Sequence, residues 1–220
     1  MYDIELPNSS KIVNIETLSN NKIKGNYFTL SMSKGKNDFV DPKTYVSFIK
    51  SCEKLIRTSE EYNAYIGYLK NEIGLTSDAL MPNVDHDKTA IEFHHSPFTL
   101  FDICCIIVDS LLSHEQSVNT FQIAKIVMEE HFDNHITLVP LSKTSHELAH
   151  SGTLFINHNM HFGHLDGFID RYRDGLTSDH IHTYNNYMSI SSVTKTNDSG
   201  SLEIDIKEYN KNKNDVIGDV

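Results

Sequence analysis

The sequence predicts an α+β fold, and three observations predict it. Apolar residues recur at helical spacing in four stretches between Tyr45 and Phe132. Short strand-like runs stand apart from these, at residues 90–95 and Ile136–Leu141. Helix-start and turn signals separate the pieces, among them Asp41-Pro42, Gly74, Pro97 and Ser151-Gly152.

Taken in order, residues 1–35 alternate apolar and polar positions, as in Ile12-Val13-Asn14-Ile15 and Tyr27-Phe28-Thr29-Leu30, and predict short strands. Asp41 as N-cap and Pro42 as first helical residue open a helix that runs through Tyr45, Phe48, Ile49, Cys52 and Ile56. A capping pattern at Thr58-Ser59-Glu60-Glu61 starts a second helix with Tyr62, Tyr65, Ile66 and Leu69 on one face, ending before Gly74. The pair reads as an αα-hairpin whose aromatic stripe is core.

Leu75–Lys88 carries Gly, Pro, Asn and Asp and reads as a loop before the strand at 90–95. Two helices follow, Phe98–Ser113 and Thr120–Phe132, then the strand Ile136–Leu141 and a short helix Ser142–His150. Thr153–Ile156 is expected to be a further short strand, and Leu165–Tyr172 a helix packed on it. From about Ser189 the chain is rich in Ser, Asn, Lys and Asp and reads as a loose tail, with Leu202–Ile206 a candidate edge strand.

Composition narrows the function classes. A chain of 220 residues supports one good core with appendages. The most apolar segment, Leu100–Leu112, is interrupted by Asp102 and Asp109, so no membrane span is expected. Residues 1–30 lack a basic region followed by an apolar one, so no secretory signal is expected and the protein reads as intracellular. Three cysteines, two of them adjacent at Cys104-Cys105, read as reduced core thiols. A formal charge of −11 argues against a general nucleic-acid coat protein, because phosphate binding needs clustered Lys and Arg. A bound metal ion or a local basic strip can offset that charge at one site.

The informative text is Ile91-Glu92-Phe93-His94-His95 and, later, Leu138-Val139-Pro140-Leu141 followed by His146-Glu147-Leu148-Ala149-His150. His146 and His150 are four apart, so on a helix both imidazoles reach one ion from one face. Adjacent strand residues point to opposite faces, so His94 and His95 are expected to divide their labour. Glu92 lies two residues before His94 on the same strand face, where it either orients a metal-bound histidine or is a solvated carboxylate. His158, His161 and His164 fall in a Gly- and Asn-containing stretch that reads as exposed loop, with an accessory metal or DNA contact the alternative.

These two pieces resemble the HNH endonucleases of the His-Me finger group. In that group a strand carries His-His, a second strand reads like Leu-Val-Pro-Leu, and a helix carries His-x-x-x-His. The resemblance covers residues 90–175 and implies a ββα-metal core with a helical insertion at about 98–132. The implied organisation is an N-terminal β element plus αα-hairpin over 1–85, an HNH-type domain over 86–185 and a polar tail over 186–220. The insertion is expected to pack beside the metal core as structural filling.

The resemblance further implies a metal-dependent endonuclease that hydrolyses phosphodiester bonds. His94, His146 and His150 would hold one divalent ion (Zn, Mg, Mn or Ni), and His95 would be the general base. The Asn of the family pattern falls at Thr137 by counting back from His146, with Asn134 the other candidate. Lys143, Arg171 and Arg173 are either phosphate contacts or solvated cations. Ser142 and Ser145 stand where relatives carry Cys-x-x-Cys, so no second, structural zinc is expected. The implied partner is nucleic acid, chiefly DNA, with a homodimer able to cut both strands and no membrane involved. A phage-encoded enzyme in the host cytoplasm fits the small, Asn-rich, acidic chain.

Two other classes compete. One is a non-catalytic, metal-stabilised binding or structural module, favoured by the displaced Asn and the acidic charge. The other is an H-E-x-x-H zinc protease with Glu147 as base, which the closeness of Pro140 and Ser151-Gly152 to the motif disfavours.

Overall fold

A computed structural model describes residues 33–193. The strands expected within residues 1–32 and at 202–206 lie outside the described residues. Among the described residues the fold is α+β, a helical core with a two-stranded sheet packed against it. The helices are α1 (Pro42–Arg57), α2 (Glu60–Asn71), α3 (Leu100–Ser113), α4 (Thr120–Phe132), α5 (Lys143–His150), α6 (Asp166–Arg171) and α7 (Ser178–Val193). Strand β1 (Ile91–His95) pairs antiparallel with β2 (Leu138–Ser142), with His94 opposite Val139 and His95 opposite Leu138.

Caps place the helix starts where the sequence signals them. Asp41 accepts from the Lys43 N–H, Ser59 from Tyr62 and Asn119 from Gln122, while Thr99 and Asp102 form a reciprocal capping box. Each such cap contributes about 1 kcal/mol by satisfying an otherwise orphaned donor.

Helix α3 buries residues around its whole circumference, from Leu100 and Ile103 to Cys104, Ile106, Ile107 and Val108. A helix apolar all round belongs at the centre. The segment expected as filling beside a metal core is therefore the middle of the main core, and α1, α2, α4 and α6 pack into that same core through residues such as Ile49, Tyr65, Ile123 and Phe168. Burying each such side chain contributes roughly 1.5–3 kcal/mol. Gly175 lets the chain pass against α3, since a Cβ there would lie 1.9 Å from the Ile106 carbonyl oxygen. Cys52, Cys104 and Cys105 are free thiols in this core, and burial pushes Cys52 and Cys105 up to about 12.

A second, smaller apolar cluster of Val139, Leu141 and Ile156 sits between β2 and α5, with Ala149 and Met160 against it. Ile156 reaches it from irregular chain, which corrects the strand expected at Thr153–Ile156. The N–H groups of Thr153 and Leu154 are spent on the Leu148 carbonyl at the end of α5, so they cannot join a ladder. The third position across the sheet is taken instead by Phe162, which bridges Leu138.

Helix α7 has no counterpart among the sequence expectations. Its His, Asn, Tyr and Ser residues form no apolar stripe, and Tyr187 anchors it as a buried side chain. Thr177 and His180 cap its start reciprocally, at 3.3 and 3.2 Å. Among the described residues, no helix is long and apolar enough to cross a membrane.

Candidate metal centre

The chain passes from β2 into α5 through Ser142, whose hydroxyl accepts the Ser145 N–H at 3.3 Å and caps the helix. Gly152, at φ +69°, supplies the left-handed residue after the helix end. Eight residues are enough to stack His146 and His150 one turn apart on the face over the sheet. Their Nε2 atoms lie 3.0 Å apart. The ring of His94 stands 5.1 Å from that of His146 and 4.8 Å from that of His150, centre to centre.

One nitrogen from each of His94, His146 and His150 falls within a set no more than 4.8 Å across. Two nitrogens sharing a tetrahedral ion at ~2.0–2.1 Å are about 3.3 Å apart, so the trio fits one ion with small ring adjustments. Glu92 lies beside it, its Oε2 accepting from His146 Nδ1 at 2.5 Å. That bond leaves the His146 Nε2 lone pair aimed at His150, the arrangement by which a carboxylate orients a metal-bound histidine. Burial, helped by His146 and His150, pushes His94 down to about 4, and burial and His146 lower His150. Both are thus neutral at neutral pH, the form that ligates a metal.

The pleat separates His95 from this group. His94 faces α5, whereas His95 points to the opposite face and is 5% exposed against Tyr62 and His131. His131 donates Nδ1–H to the Val127 carbonyl at 2.7 Å, so its Nε2 is bare and His95 donates Nε2–H to it at 3.0 Å. Burial, then the neighbouring His131, pushes His95 well below the ordinary histidine range. Its Nε2 proton is committed to the core.

The remaining expected site residues are dispersed. Asn134, at φ +58°, forms the turn before β2, and its carbonyl accepts from the His164 N–H. Thr137 is buried and donates its hydroxyl to the Ser96 carbonyl, pinning the chain just after β1. Glu147 is exposed and pairs with Lys143 at 4.0 Å. Arg173 pairs with Asp170 at 2.9 Å, and Arg171 with Glu130. All three expected phosphate-contacting cations thus have carboxylate partners within the chain.

Three buried polar groups escaped the sequence reading. His131 and Glu130 continue the buried face of α4 that carries Ile123 and Val127, and a polar pair on that stripe was the available signal. Asp78, in the loop before β1, is 1% exposed. Its Oδ2 accepts from the Ser142 N–H at 2.8 Å, and its Oδ1 from Leu80 and Met81 at 2.8 and 3.1 Å. Burial raises its pKa, but the bonds from Ser142, Ser145 and Leu80 outweigh that and hold the carboxyl below its ordinary value. No local pattern marks the burial of Asp78, because Ser142, the partner that ties it to the helix start, lies 64 residues away.

Asp78 therefore ties the loop to the start of the helix that carries His146 and His150. Asp78→Ala is expected to cost roughly 2 kcal/mol, since it strands buried donors at Ser142 and Leu80. Urea unfolding of the two proteins measures this, and equal midpoints would remove the role.

A family model described as bacteriophage G278-like virion protein matches residues 2–217 of the chain. No curated protein and no solved structure matches it.

Proposed function

The chain belongs to the bacteriophage G278-like virion protein family, and from that premise we propose a non-catalytic component of the phage particle, stabilised by a metal ion on His94, His146 and His150. This corrects the endonuclease that the resemblance of the His-His and His-x-x-x-His pieces to HNH endonucleases implies. A virion protein family accounts for almost the whole chain, 2–217, and the hydrolase class falls with the nuclease. The phage origin stands.

The observation that carries the reading is the contrast within one strand. His94 joins His146, His150 and the orienting Glu92, while its neighbour His95 is sealed in the core against His131. Three imidazoles converge, and the fourth is turned into the core. In this reading β1, β2 and α5 form a strand–strand–helix unit of the ββα-metal kind, used as a clamp. An ion there links a strand to a helix only eight residues long, whose own apolar contacts are few. An all-imidazole donor set suits zinc or nickel, whereas magnesium and manganese favour carboxylate and water oxygen.

The test is metal content and thermal unfolding of the purified full chain, alongside quantitative mass spectrometry of purified particles. About one zinc or nickel ion per chain is expected. Zinc at a hundredfold excess over its Kd should add about 2.7 kcal/mol, or roughly 5–10 °C in Tm for a chain of this size. His146→Ala should abolish that gain, and the chain should be present in particles. A chain that binds no metal, or whose Tm ignores zinc, sinks the clamp; absence from particles sinks the virion role.

A further inference from the structure

Two buried nitrogens at this end of the sheet have no hydrogen-bond partner: Nδ1 of His94 and Nε2 of His161. The pairing of Phe162 with Leu138 places His161 beside Val139, whose partner on the other side is His94. Residues in one row across an antiparallel sheet project to the same face. His161 is also among the groups whose charge acts on His94.

The two orphans are complementary. His161 Nδ1 lies 3.0 Å from the Asn157 carbonyl and 3.2 Å from that of His158, so it is the protonated nitrogen, and Nε2 carries a bare lone pair. A histidine that ligates a metal through Nε2 keeps a proton on Nδ1, which when buried needs an acceptor. His146 has one in Glu92. His94 has none within bonding distance as the rings stand.

We infer that His161 Nε2 is the acceptor for the Nδ1–H of metal-bound His94, making His161 a positioning residue of the centre rather than a ligand. The inference rests on the metal reading above. In the metal-bound state the two orphan nitrogens meet, and the loop His158–Phe162 becomes coupled to metal binding. His161 belongs to neither the trio of convergent nitrogens nor the exposed loop that its sequence context suggests.

The experiment is titration of the full chain with Co²⁺, read by its visible absorption, and with Zn²⁺ in competition, for wild type, His161→Gln and His161→Phe. Loss of an outer partner of a ligating histidine typically weakens metal affinity 10–100-fold. His161→Phe, which keeps a ring but removes the acceptor, should show that loss with an unchanged Co²⁺ band shape. His161→Gln, which restores an acceptor oxygen, should bind within a few-fold of wild type. A space-filling role for His161 would reverse that order, with Phe the better replacement, and would overturn the inference. So would a changed band shape in both variants, which would make His161 a fourth ligand. Failure of the wild type itself to bind Co²⁺ or Zn²⁺ would remove the metal centre and the inference together, and is read separately in the wild-type titration.

Discussion

Glu130→Ala is expected to destabilise the protein by about 3 kcal/mol, lowering Tm by roughly 6–12 °C. Glu130 is 1% exposed, and each of its oxygens is engaged. Oε2 accepts from His135 Nδ1 at 2.9 Å; Oε1 accepts from the Tyr172 hydroxyl at 2.7 Å and from Arg171. One carboxylate on α4 thus gathers the turn before β2 and the end of α6. Truncation strands the buried Tyr172 hydroxyl and leaves a cavity. Removing one partner of a buried ion pair costs roughly 3–5 kcal/mol, and the lower end applies because Arg171 is half exposed and turns to solvent. Tyr172→Phe, which deletes a single bond to the same carboxylate, should cost only about 1 kcal/mol. Denaturant unfolding of the three proteins separates these cases. If Glu130→Ala unfolds at the wild-type midpoint, the network does not stabilise the fold.

Acid should weaken the fold before carboxylates begin to titrate, and His131 is one source that can be isolated by mutation. Burial pushes its pKa from 6.5 down to about 4. In the unfolded chain the imidazole takes up a proton near pH 6.5, whereas in the folded protein it stays neutral to about pH 4. The unfolded state therefore binds more protons in this window, and stability falls as pH drops from 6.5 toward 4. It is fully present above the upper limit. The difference corresponds to roughly 3 kcal/mol from this one group. His131→Gln removes the titration while keeping a polar partner for His95. It should start less stable at pH 7.5 yet lose about 3 kcal/mol less than wild type on going to pH 4. Urea midpoints at several pH values give both curves. Parallel curves would mean that His131 accepts its proton in the folded core, contrary to its position between Val127 and His95.

The candidate centre was legible in the sequence because its spacings are local. His146 and His150 are one helical turn apart, and Glu92 and His94 are one strand repeat apart. Such periodicities survive whatever else the chain does. The role of His95 was not legible, because it depends on what covers the other face of β1. The cover comes from Tyr62 on α2 and His131 on α4, elements reached through loops on both sides. The ion pair of Arg171 was not legible for the same reason, since its partner Glu130 is 41 residues away.

By itself the sequence determined the helices with strong caps and stripes, the two paired strands, and the candidate cluster of His94, His146 and His150 with Glu92 beside it. Each of these follows from interactions between residues close in the chain. Tertiary structure alone decided that α3 is the centre of the core, that His95 is buried away from the trio, and that Asp78, Glu130 and His161 carry structural weight. Those outcomes depend on contacts between distant segments, where the burial of a polar group is set by partners that no local spacing encodes.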